Sequence, residues 1–265
     1  MSQDILRKIA VAKKEEITEA RKRLPEADLR QQAEQRKDRR PFIGRLRQAH
    51  MDGIGIIAEI KRASPSKGTI RSGLDAADYA RRYEQGGATA VSVLTDGPFF
   101  KGSLDDLTTV RNNCSLPVLR KDFLIDPYQF YEAAAAGADA VLLIVRMLTE
   151  NQLAEYLDLC RELRLDPLVE VHDDVDLEKA ARFGAELIGI NNRDLQTFKT
   201  DISVATRLVS RFNEHQIPVA ASGIGAPEDI RATRQAGINI FLIGESLVRA
   251  DDTIGFLRRL IAAAD

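Results

Sequence analysis

From residue 54 onward, short apolar runs alternate with amphipathic stretches. The runs fall at 54–60, 89–94, 117–120, 139–145, 167–171, 186–191, 217–222 and 239–244. Each has the length of a buried strand rather than of a helix. Between them, apolar residues recur at helical spacing over Ala76–Gln85, Tyr128–Ala136, Gln152–Leu163, Asp176–Phe183, Ile202–Phe212 and Pro227–Gln235. Eight strands with helical stretches between them, over about 210 residues, predict a (β/α)8 barrel. A doubly wound open sheet would carry GxGxxG after its first strand, and none follows here.

A repeated phrase supports the alternation. Gly87-Ala88, Gly137-Ala138, Gly184-Ala185 and Gly237-Ile238 each end a helical stretch just before an apolar run, at separations of 50, 47 and 53 residues. Glycine there predicts a left-handed helix cap. The phrase introduces strands 2, 4, 6 and 8. It is also ordinary grammar for a helix-to-strand loop, with no shared ancestry required.

The first fifty residues read differently. Ile5, Ile9, Ala12 and Ile17 suggest an amphipathic helix ended by Leu24-Pro25, and a polar helical stretch follows over 26–38. Pro41-Phe42-Ile43 and Leu46 come next. The expected organisation is a helical extension over 1–50 and a barrel over 51–265, together one structural unit. The extension has 14 Lys or Arg against 8 Asp or Glu, a local +6 within a chain of net charge −2. The acids are interleaved and aromatics nearly absent, so a nucleic-acid arm is not the expectation. Cys114 and Cys160 lack CxxC context and read as reduced thiols. His50, His172 and His215 show no metal spacing. No apolar run reaches the length of a membrane span, and no secretory pattern opens the chain. A cytoplasmic protein without metal, nucleic-acid or membrane partners is expected.

Candidate chemistry lies where the predicted strands end, since barrels of this class place their sites at the carboxyl face. Glu59 and Lys61 are two apart on strand 1 and so share a face. They precede the loop Ser64-Pro65-Ser66-Lys67-Gly68. Strand 3 ends at Arg120, Lys121 and Asp122, strand 5 at Glu170 and His172, and strand 6 at Asn191, with Arg193 beyond. Lys61, Lys121, Glu59 and Glu170 converging among apolar neighbours could divide acid and base roles. His172 reads as a satisfied strand-end histidine. Ser222-Gly223 and Gly244-Glu245 close strands 7 and 8, the usual phosphate corner. GxxxxGK[ST] is absent.

The phrases AEIKRASPSKG, SVLTD…FFKGS, RKDFLIDPYQ, GADAVLLIV, LVEVH, IGINNRDL, ASGI and FLIGESL follow one another across residues 54–249. Together they resemble the indole-3-glycerol-phosphate synthase family of tryptophan biosynthesis. The resemblance implies ring closure, decarboxylation and dehydration of 1-(2-carboxyphenylamino)-1-deoxyribulose 5-phosphate, with no cofactor or metal. It implies Lys121 as general acid and Lys61 as a contact to substrate phosphate or carboxylate that aids proton transfer. Glu170 and Glu59 would be the carboxylates of the dehydration, with their order open. Asn191 would hold substrate beside Arg193. Ser64, Ser222, Gly223, Gly244 and Glu245 would grip phosphate. Phe100, Phe123, Leu142, Ile144 and Leu195 would line the anthranilate slot, and the Ser-Pro-Ser-Lys-Gly loop would be a lid. A monomer is expected, with other tryptophan-pathway enzymes as candidate partners.

The chain departs from the family at Ala221-Ser222-Gly223, where Glu-Ser-Gly is usual, so one carboxylate facing the lysines is missing. Two other readings compete. An isomerase of phosphoribosylanthranilate typically needs a Cys and an Asp at strand ends, and no Cys lies at one. A non-catalytic barrel that binds phosphometabolites draws its only support from Ala221.

Overall fold

A computed structural model describes residues 2–194 and 199–263. Among these, eight parallel strands close into a barrel: β1 (Gly55–Ile60), β2 (Ala90–Leu94), β3 (Val118–Lys121), β4 (Ala140–Ile144), β5 (Asp166–Val171), β6 (Leu187–Asn191), β7 (Ile217–Ala221) and β8 (Ile240–Ile243). Each strand pairs with its sequence neighbours, and β1 pairs with both β2 and β8. The strands match the apolar runs to within two residues at either end.

Strand alternation sorts the barrel into two cores. Ile57, Ala90, Leu119, Ala140, Leu142, Leu168, Leu187, Val219 and Leu242 form the interior cluster. Their neighbours of opposite parity, such as Ala58, Val91, Val141, Val169 and Ile188, pack outward against the helices. Those helices include α4 (Ala76–Gly86), α7 (Tyr128–Ala135), α8 (Glu150–Leu163) and α9 (Asp174–Arg182), numbered after three in the extension. The four repeated glycines all take positive φ, between 73° and 96°, as the cap reading requires. Two helices follow β2, α5 (Gly97–Phe100) and α6 (Leu104–Asn113), where the apolar pattern marked none.

The extension wraps the barrel from one end to the other. Helix α1 (Ser2–Arg23) crosses the carboxyl end, α2 (Glu26–Gln35) packs Leu29 and Ala33 into the outer core, and α3 (Phe42–Asp52) closes the amino end. The second helix stops at Gln35 rather than 38. Phe42 and Leu46 of α3 belong to the barrel's interior cluster and are fully buried. The extension's basic excess is spent inward. Arg36 pairs with the buried Asp139 at 2.7 Å, Arg39 donates to the Leu163 carbonyl, and Arg40 donates to those of Leu116 and Arg111. These bonds satisfy backbone oxygens that the barrel floor would otherwise leave short of donors.

At the other end, Lys13 is 1% exposed and reaches Asp122 at 2.8 Å and Asp96 at 3.0 Å. Asp96 caps α5 through the Phe99 and Phe100 amides, and Asp122 accepts from Thr95 and pairs with Arg120. Burial alone would push the Lys13 ammonium down, but Asp122 and Asp96 hold it above the usual lysine value. Burial would likewise raise Asp122, and Arg120 and Lys13 hold it below 3.8. A depressed carboxylate contributes stability above its unfolded pKa and loses it as pH falls toward the folded value. The raised lysine contributes below its unfolded pKa, and that contribution is lost only as pH rises through the folded value. Both are therefore in force at neutral pH. Lys13→Met should lower unfolding free energy by about 3–5 kcal/mol at pH 7, because the buried Asp96 loses its cation and Asp122 is left with Arg120 alone. Urea unfolding at pH 7 and near pH 3 checks this: the gap from wild type should narrow at the lower pH.

Candidate active site

The inward parity of the strands carries the charged side chains to one place. Positions 57, 59 and 61 run up the inside of β1 and beyond it, 119 and 121 up β3, 168 and 170 up β5, and 187, 189 and 191 up β6. Each series is apolar or small below and polar at the carboxyl end. The polar ends line one cavity of about 600 Å³ that includes Glu59, Lys61, Lys121, Glu170, Asn191 and Arg193. That volume suits a drug-sized ligand.

Glu59 is the hub. Its Oε1 lies 2.7 Å from Lys61 Nζ and its Oε2 3.7 Å from Lys121 Nζ. Burial would raise this carboxyl, yet the two ammonium groups hold it below its usual value. Both lysines retain some exposure toward the cavity, 16% and 19% of their side chains. Gly244 makes room for the hub: a Cβ there would lie 2.5 Å from Glu59 Oε1 and 3.1 Å from its Cβ.

Across the cavity, Glu170 Oε1 accepts from Asn191 Nδ2 at 3.2 Å. Asn191 Oδ1 accepts from the Arg193 amide, and Arg193 Nη1 reaches Ser66 Oγ at 3.0 Å. This ties the β5 carboxylate to the loop after β1. That loop folds as a short hairpin, Ala63–Ser64 against Gly68–Thr69. Arg62 bonded to Asp106 and Arg71 bonded to the Val248 carbonyl fasten its base.

At β7 and β8 the backbone turns open the corner that glycine spacing predicts. Ser222 and Gly223 both take positive φ, 67° and 84°. A non-glycine residue there is uncommon, and successive residues of this kind turn their amides toward a common point. A Cβ on Gly223 would meet Thr200 Cγ2 at 2.5 Å. A short helix, Glu245–Arg249, begins directly after Gly244, and the Glu245 side chain turns aside to Arg249 at 3.1 Å. Glu245 therefore offers its backbone here rather than its carboxylate.

The apolar wall is Phe100, Phe123, Leu142 and Ile144, the two rings 6.1 Å apart and tilted. Leu195 lies outside the described residues. Ile5, Leu6 and Ile9 of α1 add a roof. Neither these three nor Arg249 stood among the expected site residues, whereas Ser66 and Lys67 line the cavity as part of the loop expected to be a lid. The sequence reading also passed over Lys13, although Ile9, Lys13 and Ile17 at intervals of four put that lysine on the buried stripe. His172 differs from its reading too: its ring is buried without a hydrogen bond to either nitrogen.

A closed parallel barrel with a lysine–carboxylate cluster and a glycine-bordered corner at its carboxyl end defines the class: a (β/α)8 barrel of enzymatic type. The chain belongs to the indole-3-glycerol phosphate synthase family, whose model matches residues 6–260. Indole-3-glycerol phosphate synthase from Desulfosudis oleivorans is 63% identical, covering 97% of this chain and 98% of the relative. The one from Syntrophobacter fumaroxidans is 48% identical over 98% of each. The thiamine phosphate pyrophosphorylase structure from Pyrococcus furiosus shares the fold, with a TM-score of 0.59 at 15% identity over 80% of this chain and 95% of that one. The family's reaction makes the chain a carboxy-lyase of tryptophan biosynthesis, acting on a phosphorylated aromatic substrate.

Gly244→Ala should displace the Glu59 carboxylate and with it Lys61. Turnover should fall about 10²-fold, the scale of a misplaced catalytic group. Steady-state kinetics beside a thermal melt check this, with the melt expected to stay close to wild type.

Proposed function

We propose that the cavity carries out the family's ring closure, decarboxylation and dehydration with the residues assigned as follows. Substrate phosphate binds the amides of Gly223, Gly244 and Glu245 together with Ser222 and, from the loop after β1, Ser64. The anthranilate ring enters the slot between Phe100, Phe123, Leu142 and Ile144. Its carboxylate-bearing carbon is thereby held over the ribulose carbonyl. Desolvation in that slot favours departure of the carboxylate as CO2.

Lys121 protonates the carbonyl oxygen as the carbon–carbon bond forms. Its Nζ lies 3.7 Å from Glu59 Oε2 and has donors to spare for the carbonyl oxygen. Lys61 contacts the substrate's carboxylate or phosphate and aids proton transfer. Carbon dioxide then leaves and the new ring carbon keeps the electron pair of the broken bond. In the dehydration one carboxylate removes a proton while the departing hydroxyl gains one, so that water leaves. Glu59 and Glu170 are the two carboxylates of that step. Asn191 and Arg193 hold the substrate's polar groups, and the Ser64–Gly68 hairpin acts as lid. Closing it excludes water and can make product release slow. The protein acts as a cytoplasmic monomer. Among the described residues no helix is long and apolar enough to cross a membrane.

One observation carries the reading: two lysines from different strands share one buried carboxylate at the mouth of an apolar, anion-bordered cavity. Cys114 and Cys160 lie in the outer core, away from the strand ends, which disfavours the isomerase. Lys121→Ala should lose about 10²–10⁴-fold in turnover, followed by indole fluorescence and CO2 release. A rate near wild type would remove Lys121 from its role. Ala221, buried in the cavity wall between Asn191 and Leu242, leaves the lysines with few carboxylate partners. Ala221→Glu should raise turnover on the order of tenfold by adding an acid/base group. An unchanged or lower kcat in the same assay would show that Glu59 and Glu170 suffice.

A further inference from the structure

The site as described makes no use of His172, yet the ring is one of the most confined groups beside it. Its side chain is 3% exposed. Nε2 lies 3.5 Å from Glu170 Oε1, and Nδ1 lies 3.5 Å from Asp176 Oδ2. Neither nitrogen completes a hydrogen bond among the described residues. Leaving two buried polar atoms unsatisfied is costly, so such a group calls for an explanation.

The surroundings supply one. A neutral imidazole donates from one nitrogen only, whereas the cation donates from both. Here each nitrogen faces a carboxylate, an arrangement that a shift of a few tenths of an ångström would turn into two hydrogen bonds. Glu170 comes from the ring's own strand and Asp176 from α9. Arg146, in the turn after β4, reaches Asp176 at 2.8 Å, and the His172 amide donates to the same oxygen at 3.0 Å. Burial alone would raise Asp176, but the facing His172 ring, the Arg146 charge and the His172 amide hold it low. Asp176 is thus a fixed anion behind the ring. In front, Asn191 and His172 both address Oε1 of Glu170, and Oε2 has no hydrogen-bond partner among the described residues.

We propose that His172 is a positioning residue for Glu170: backed by Asp176, it grips Oε1 jointly with Asn191 and leaves Oε2 as the oxygen that meets substrate. The proposal rests on Glu170 exchanging a proton in the dehydration. The ring does not touch substrate; it fixes the orientation of the carboxylate and offers Oε1 a donor.

The test compares His172→Phe, His172→Gln and Glu170→Gln. His172→Phe should lower kcat about 30-fold with KM within about twofold, and should move the acid limb of the kcat profile upward by half a unit or more. His172→Gln keeps one donor and should recover most of the rate. A folded His172→Phe enzyme with wild-type kcat and pH profile overturns the proposal. Full turnover in Glu170→Gln would instead sink the reading of Glu170 itself, and this proposal with it. A second measurement serves if His172→Phe does not fold. With only three histidines, the His172 ring can be assigned by NMR in otherwise intact protein. Its ring nitrogen shifts should change in Glu170→Gln, because the facing carboxylate is gone. Unchanged ring shifts overturn the contact whatever the activity.

Discussion

The site is organised by one buried carboxylate held between two ammonium groups. Glu59 lies inside the barrel, where a lone charge would be strongly disfavoured. Lys61 and Lys121 remove that penalty and are in turn fixed by it. The arrangement needs three strands in register: β1 supplies the acid and one lysine, β3 the other lysine, and β8 the glycine that lets the carboxylate fit. Because Gly244 also borders the glycine corner after β7 and β8, the lysine–carboxylate cluster and that corner share a wall. Their separation is set by backbone rather than by flexible side chains.

A second buried ion network fixes the roof to this wall. Lys13 bonds Asp122, the residue after Lys121, and Asp96, which caps the helix carrying Phe100. The same lysine therefore bears on the strand end that presents the proposed general acid and on the helix that presents an aromatic wall. Helix α1 also contributes Ile5, Leu6 and Ile9 to the cavity. The extension is in this sense part of the active-site architecture. Its floor end is tied separately, through Arg36 to Asp139 and through Phe42 and Leu46 under the barrel.

Period-two alternation made the barrel and most of the cavity lining legible before any coordinates. It assigns Glu59, Lys61, Lys121, Glu170 and Asn191 to the inside once the strands are placed. The four cap glycines were readable because only a left-handed turn explains glycine at each such junction. Less was readable where burial and polarity part company. Lys13 looks solvated by type and is buried by position; only its spacing from Ile9 and Ile17 betrays it. Helix α3 carries Phe42, Ile43, Leu46 and Ala49 at helical spacing and turns that stripe into the barrel's interior cluster, so its pattern was there to be read. Helix α5 is four residues held by the Asp96 cap, too short for any periodicity.

The two carboxylates of the cavity are held in opposite ways, and this bears on how they can differ in chemistry. Glu59 has both oxygens facing cations, so its charge is strongly favoured and it gives up little freedom to accept a proton. Glu170 Oε1 accepts from the Asn191 amide and faces the His172 ring at 3.5 Å, while Oε2 has no hydrogen-bond partner among the described residues. On the proposed dehydration, Glu170 would be the carboxylate that exchanges the proton, and Glu59 the one that holds Lys61 and Lys121 in place. The linkage from Glu170 through Asn191 and Arg193 to Ser66 adds a consequence. If the hairpin is the lid proposed above, its movement would pull on the chain of bonds that orients this carboxylate.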